Sequence, residues 1–168
     1  MKKQFFLLLI LILGSMLICA CEKDDICVDG DTPLLVLRFY DAADTASFKS
    51  VTNLRIIGLG QEAPVNTFSD RSSTDSVAIP LRADQSPTQF FLILNSNDED
   101  EVETGNIDTL SFNYTIEEVF VSRACGFVVN FNELNPDLTS GSDNWIQSIE
   151  VVDTTVTNQF SAHVKIFH

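Results

Sequence analysis

The sequence predicts an all-β domain, an antiparallel β-sandwich of Greek-key, immunoglobulin-like architecture with about eight strands. Three observations carry this expectation. Apolar and polar residues alternate at period two, as where Leu110, Phe112, Tyr114 and Ile116 oppose Ser111, Asn113, Thr115 and Glu117. Short runs rich in Val, Ile, Phe and Thr are separated by turn clusters such as Asp29-Gly30-Asp31 and Asn135-Pro136-Asp137. No repeating helical pattern runs along the chain, and only Ala42 to Lys49 reads as a short helix. A small β-barrel is the alternative that the same pattern admits.

Taken in chain order, Leu34 to Tyr40 is apolar on both faces except at Arg38, which suits a central strand. Leu54 to Leu59 follows. Ser76 to Ala83 contains Pro80, which cannot donate a ladder hydrogen bond, so this strand belongs at an edge. Phe90 to Leu94 has no polar residue and is again central. Leu110 to Ile116 is half-buried. Cys125, Phe127, Val129 and Phe131 share a parity, which points Cys125 into the core with those side chains. Ile146 to Val156 and a C-terminal strand complete the set. In the latter, Phe160, Ala162, Val164 and Ile166 alternate with Ser161, His163 and Lys165, placing His163 on the polar face. Trp145 lies beyond Cys125 rather than between two cysteines, so the immunoglobulin sequence pattern proper is not matched.

The chain has 168 residues, 24 acidic against 10 basic, for a formal charge of −14. One domain is the expectation from length. Thirteen Phe and a 45% hydrophobic content exclude a disordered chain. The acidic balance excludes nucleic-acid binding, which needs a basic stripe to face phosphates.

The N-terminus carries the most specific signal. Lys2 and Lys3 precede a wholly apolar run from Phe5 to Leu13, followed by Leu17-Ile18-Cys19-Ala20-Cys21. This is the layout of a secretory signal, and it is too short for a membrane span of about 20 apolar residues. Its end resembles the lipobox of bacterial lipoproteins. That resemblance implies cleavage before Cys21, which small Ala20 precedes, and acylation of its thiol. The divisions expected are a signal peptide over 1–20, a lipid-anchored charged tether over 21–32 and a single β-sandwich over 33–168. Removal of 1–20 takes away Lys2 and Lys3 and no acid, leaving 8 basic and 24 acidic residues, a formal −16. Glu22, Lys23, Asp24 and Asp25 resemble the signal that directs Bacteroidota lipoproteins to the outer face of the outer membrane, although a charged spacer would serve on the periplasmic face too. With Cys19 discarded and Cys21 acylated, Cys27 and Cys125 are the free thiols of an exported protein, and a disulfide between them is the expectation. Two unrelated buried thiols are the alternative. The N-terminal motifs together with an acidic all-β body resemble a family of small flavobacterial lipoproteins with no assigned activity.

Chemical sites are few. Asp98-Glu99-Asp100-Glu101-Val102-Glu103 could attract Ca²⁺, but it lacks the alternating acids and sixth-position Gly of a calcium loop, so a solvated acidic hairpin is expected and no metal is assigned. His163 and His168 are the sole imidazoles. The sequence contains no phosphate loop, nucleophile elbow or His-Glu-x-x-His motif, so no enzyme and no cofactor is expected. Asp44-Thr45-Ala46, Asp75-Ser76-Val77, Asp108-Thr109-Leu110 and Asp153-Thr154-Thr155 resemble the O-glycosylation motif of exported Bacteroidota proteins, which implies modification at Thr45, Ser76, Thr109 and Thr154, with Asp108 and Asp153 near exposed strand ends. The function expected is a non-catalytic outer-membrane lipoprotein, an accessory module for an envelope β-barrel or assembly. The alternative is a surface glycan-binding module that stacks sugars on Trp145, Tyr40 or Tyr114.

Overall fold

A computed structural model describes residues 3–4, 27, 30–100 and 102–168. The body consists of strands: β1 (Leu35–Tyr40), β2 (Val51–Gly58), β3 (Ser72–Thr74), β4 (Ser76–Ile79), β5 (Thr88–Leu94), β6 (Asp98–Glu99), β7 (Val102–Glu103), β8 (Asn106–Ser122), β9 (Gly126–Leu138), β10 (Ser148–Val151) and β11 (Val164–Phe167). They form a four-stranded sheet in the order β10-β11-β1-β4, a five-stranded sheet in the order β3-β2-β5-β8-β9, and the ribbon β6-β7. The chain passes between the large sheets after β1, β3, β4 and β9, which makes a sandwich and not a closed barrel.

Alternation decides the inner faces. Leu35, Leu37 and Phe39 of β1, Val77 and Ile79 of β4, and Val164 and Ile166 of β11 meet Leu54, Ile56, Phe90, Leu92, Leu110, Phe112 and Phe131 of the other sheet in one buried cluster. Each such side chain contributes about 1.5–3 kcal/mol by leaving water. The strands apolar on both faces, β1 and β5, are central, and β4, which ends just before Pro80, is an edge.

Five expectations change. The pairing is antiparallel throughout except between β1 and β11, which run parallel. Ala42 to Lys49 forms turns, because Asp41 and Asp44 accept hydrogen bonds from the amides of Ala43 and Ala46 and so compete with a helix. Ile146 to Val156 is a strand only over β10. The C-terminal strand begins at Val164, so Phe160 is exposed and His163, placed before the strand, turns inward. Finally, Cys125, Phe127, Val129 and Phe131 do not share a buried face. Phe131 is buried, but Phe127 is exposed and Cys125 only half-buried. β8 and β9 form a hairpin that extends beyond β5, whose pairing with β8 stops at Phe112, and the outer part of the hairpin is not covered by the opposite sheet. Register shifts near Thr115 and Ser122 alter its facing as well.

Candidate functional site

The outer face of the five-stranded sheet carries the side chains that alternate with the core. Ile57 stands opposite Phe91, and Ile93 opposite Ile107. With Arg55, Asp98 and Glu103 they line a groove of about 530 Å³. Ile107 and, on the adjoining ribbon, Val102 are exposed. The groove therefore has an apolar floor and a charged end.

That end is built by the acidic segment. Asp98 approaches Arg71 at 2.6 Å and Arg55 at 3.7 Å, and Glu103 lies 3.5 Å from Arg55 and 3.6 Å from Arg71. Glu103 also accepts hydrogen bonds from Ser96 Oγ (2.7 Å), the Asn97 amide (3.1 Å) and the Gly105 amide (2.9 Å). Partial burial pushes the Glu103 pKa up, but these donors and Arg71 outweigh it and the carboxyl sits below its ordinary value. The Arg71 guanidinium is raised by its hydrogen bond to Asp98. The expected solvated hairpin is therefore corrected in part: β6-β7 is a hairpin, but two of its acids fold back onto two arginines. No group of three His, Cys, Asp or Glu is placed to hold a metal among the described residues.

A second concavity, a cleft of about 730 Å³, opens between the chain after β2 and the loop joining β4 to β5. Gln61, Asn66, Arg82, Gln85 and Gln89 supply polar groups, with Pro64, Pro87 and Phe90 among its apolar lining. Tyr114 fixes the loop wall: its hydroxyl lies 2.8 Å from the Arg82 carbonyl and 3.0 Å from that of Gln85, and it pairs with Thr88 Oγ1. Burial raises the Tyr114 pKa.

The residues singled out from sequence fall in different places. Cys27 and Cys125 are joined by a disulfide with Cα atoms 4.9 Å apart, at the far end of the β8-β9 hairpin. Gly30 packs against it, where a Cβ would collide with Cys27 Sγ and approach Cys125 Cβ to 3.1 Å. Cys21, Glu22, Lys23, Asp24 and Asp25 lie outside the described residues. Trp145 and Tyr114 are buried, and Trp145 Nε1 donates to the Leu92 carbonyl at 3.2 Å. Neither ring can stack on a sugar. Tyr40 is half-buried between Phe48 and Phe167.

Both imidazoles belong to the core. His163 is 1% exposed and its Nδ1 accepts from the Val36 amide at 3.0 Å, while His168 packs edge-on against Phe39 and Trp145. Burial lowers the pKa of each. Thr45 and Thr154 are exposed, whereas Ser76 and Thr109 are half-buried in β4 and β8. Asp108 is not at an exposed strand end. It is buried, accepts the Ile146 amide at 2.8 Å, and has its pKa raised by that burial.

Sequence reasoning missed three features. Arg55 stands alone in an apolar strand, which was a usable signal of an outward polar contact. Arg71 has no local signal, because its partners are about 30 residues away. The cleft is formed by loops whose meeting depends on tertiary structure alone. No curated protein and no solved structure matches the chain. The family profile described as a family of unknown function, DUF6452, matches residues 53–168, which spans the outer-face groove, the cleft and the hairpin, and the chain belongs to that family.

Proposed function

We propose that the protein is a non-catalytic lipoprotein of the Bacteroidota outer membrane, anchored by acylation of Cys21 and directed toward the cell surface by Glu22 to Asp25. Its body acts as an interaction module for an envelope β-barrel or assembly. The observation that supports this reading is the outer-face groove. Ile57, Phe91 and exposed Ile107 form an apolar strip on the outer sheet face, bordered by Arg55 and the acids that pair with it. An apolar floor with a charged rim is the usual anatomy of a protein-docking surface. Exposed Thr45 and Thr154 are the more accessible of the proposed glycan acceptors.

Intact-mass measurement of the native mature protein tests anchor and glycan together. The expected mass is that of residues 21–168 plus diacylglycerol and an N-acyl chain, with further mass for any glycan, and an unacylated polypeptide would refute the anchor. Crosslinking and pull-down of the lipidated protein should recover a stoichiometric envelope partner, and Ile107→Asp should abolish the recovery. Unchanged capture by that variant would remove the groove from the reading.

A second reading rests on the cleft, whose volume of about 730 Å³ suits a small ligand. Amide groups there suit a hydroxyl-rich molecule, while the Arg82 guanidinium is held by Asp84 at 3.0 and 2.8 Å. It replaces the glycan platform at Trp145 and Tyr114, which burial excludes.

A further inference from the structure

The apolar end of the β8-β9 hairpin is unlike the rest of the surface. Phe120 and Phe127 are cross-strand partners with ring centroids 5.4 Å apart, yet they are 57% and 65% exposed, and Val121 beside them is exposed too. From Val119 to Val129 there is no Asp or Glu, and Arg123 carries the sole charge, in a chain whose formal charge is −14. The acids that crowd β6-β7 lie at the other end of β8. Between Asn106 and Ser122 that strand runs about 50 Å at ~3.3 Å per residue. One end of the sheet is therefore acidic, and the tip of the other is aromatic, with acids confined to the arm bonded to it and to Glu117 and Glu118.

The disulfide says what faces that second end. Cys125 sits in the turn of the hairpin, and its bond to Cys27 fastens the N-terminal chain there. After Gly30 the chain returns along the hairpin, with Thr32 Oγ1 accepting from the Val129 amide at 3.5 Å. Six residues separate Cys27 from Cys21, a reach of at most about 20 Å for an extended chain. A lipid on Cys21 holds the hairpin end, not the acidic end, against the bilayer.

We propose that the end of the β8-β9 hairpin seats in the membrane interface, with Phe120 and Phe127 at the boundary between headgroups and acyl chains and Arg123 on lipid phosphate. This deepens the proposed anchoring and rests on it. The acyl chains on Cys21 supply the affinity, and an apolar wedge beside their tether supplies a second contact that fixes how the body sits on the bilayer. The tether imposes this orientation, because its foot is bonded to the hairpin turn.

The test uses the full lipidated protein on vesicles of brominated phosphatidylcholine and phosphatidylglycerol. Phe127→Trp places a fluorophore at the wedge, Val102→Trp places one on the acidic ribbon, and both are exposed positions that admit the larger ring. Interfacial apolar groups sit ~5–10 Å deep, so Phe127→Trp should lose about half its emission, whereas Val102→Trp and the unsubstituted chain, with Trp145 buried, should hardly change. Amide exchange of the unsubstituted protein should slow over residues 119–129 on the same vesicles. Absence of both effects in protein that co-floats with vesicles would overturn the wedge and leave the anchor standing. Failure of the unsubstituted protein to co-float would overturn the anchor and the wedge with it. Shielding of Phe127→Trp from aqueous iodide in native envelopes, without quenching on lipid-only vesicles, would overturn the wedge in favour of a protein partner.

Discussion

At the scale of single residues, His163 shows how a polar side chain is consumed by architecture. Its backbone N–H donates to the Val36 carbonyl at 3.0 Å, its ring accepts from the Val36 amide, and its own carbonyl accepts from Val152 at 2.7 Å. An imidazolium has no acceptor nitrogen, so protonation would set a ring N–H against the Val36 N–H in a buried place. Burial accordingly lowers the His163 pKa from 6.5, and that of His168 likewise. The folded state thus binds its protons later than the unfolded state as pH falls. Stability from these groups is complete above pH 6.5 and declines below it, by at most about 1.4 kcal/mol per pH unit for each histidine. Asp108 acts with the opposite sign, because its raised pKa favours the folded, protonated form as the pH approaches 3.8. A His163→Gln variant retains an acceptor but cannot titrate. Its urea midpoint should fall less steeply between pH 7.5 and 5.5 than that of the unsubstituted protein. Identical slopes would show that His163 does not carry the pH dependence.

At the scale of elements, the β6-β7 ribbon stands on a base with little room. A Cβ on Gly105 would lie 2.8 Å from the Leu94 carbonyl oxygen and 2.9 Å from Ser96 Cα, both backbone atoms that cannot step aside. Gly105→Ala should therefore cost about 1–3 kcal/mol as an overpacked site, read from the denaturation midpoint. At Gly141 the nearest atoms are the side-chain ends of Asn144 and Asp143, which can move aside where backbone cannot, and the same substitution should cost less than at Gly105, within about 1 kcal/mol for the loss of the Asn144 bond to the Thr139 carbonyl. Equal costs at the two positions would contradict the geometry. The ribbon also marks where sequence reading stops. Five acids in six residues announce a hairpin, but Arg55 and Arg71, which turn two of them inward, are brought alongside by pairing with β5 and by the turn before β3. Period-two alternation likewise assigned opposite faces along β9 without showing whether a second sheet covers them, so Phe131 was placed correctly and Phe127 was not. Pro80 was more informative than any alternation, because a missing N–H is a property of the residue itself and needs no neighbour to take effect.

At the scale of the molecule, the Cys27–Cys125 bond joins two peripheral parts, and this determines what its loss would do. The closed loop of about 99 residues gives roughly 4–5 kcal/mol in the chain-entropy model. That value assumes that the native chain is held equally well without the bond. Here the N-terminal arm is fastened to the hairpin by the disulfide, Gly30 packing and the long Thr32 contact, while the core lies between the two sheets. Reduction should free the arm in the folded state, restore entropy there as well as in the unfolded chain, and lower global stability by clearly less than that ceiling. Its main effect should be local. Amide exchange should accelerate over residues 119–129 while β1 and β5, central in their sheets, keep their protection. Urea unfolding with and without reductant, read beside residue-resolved exchange, distinguishes the two accounts. A loss of the full 4–5 kcal/mol with the hairpin unchanged would mean that the bond acts on the unfolded chain alone. Local loosening would instead identify it as the fastener that fixes which end of an acidic sandwich is held nearest the tether.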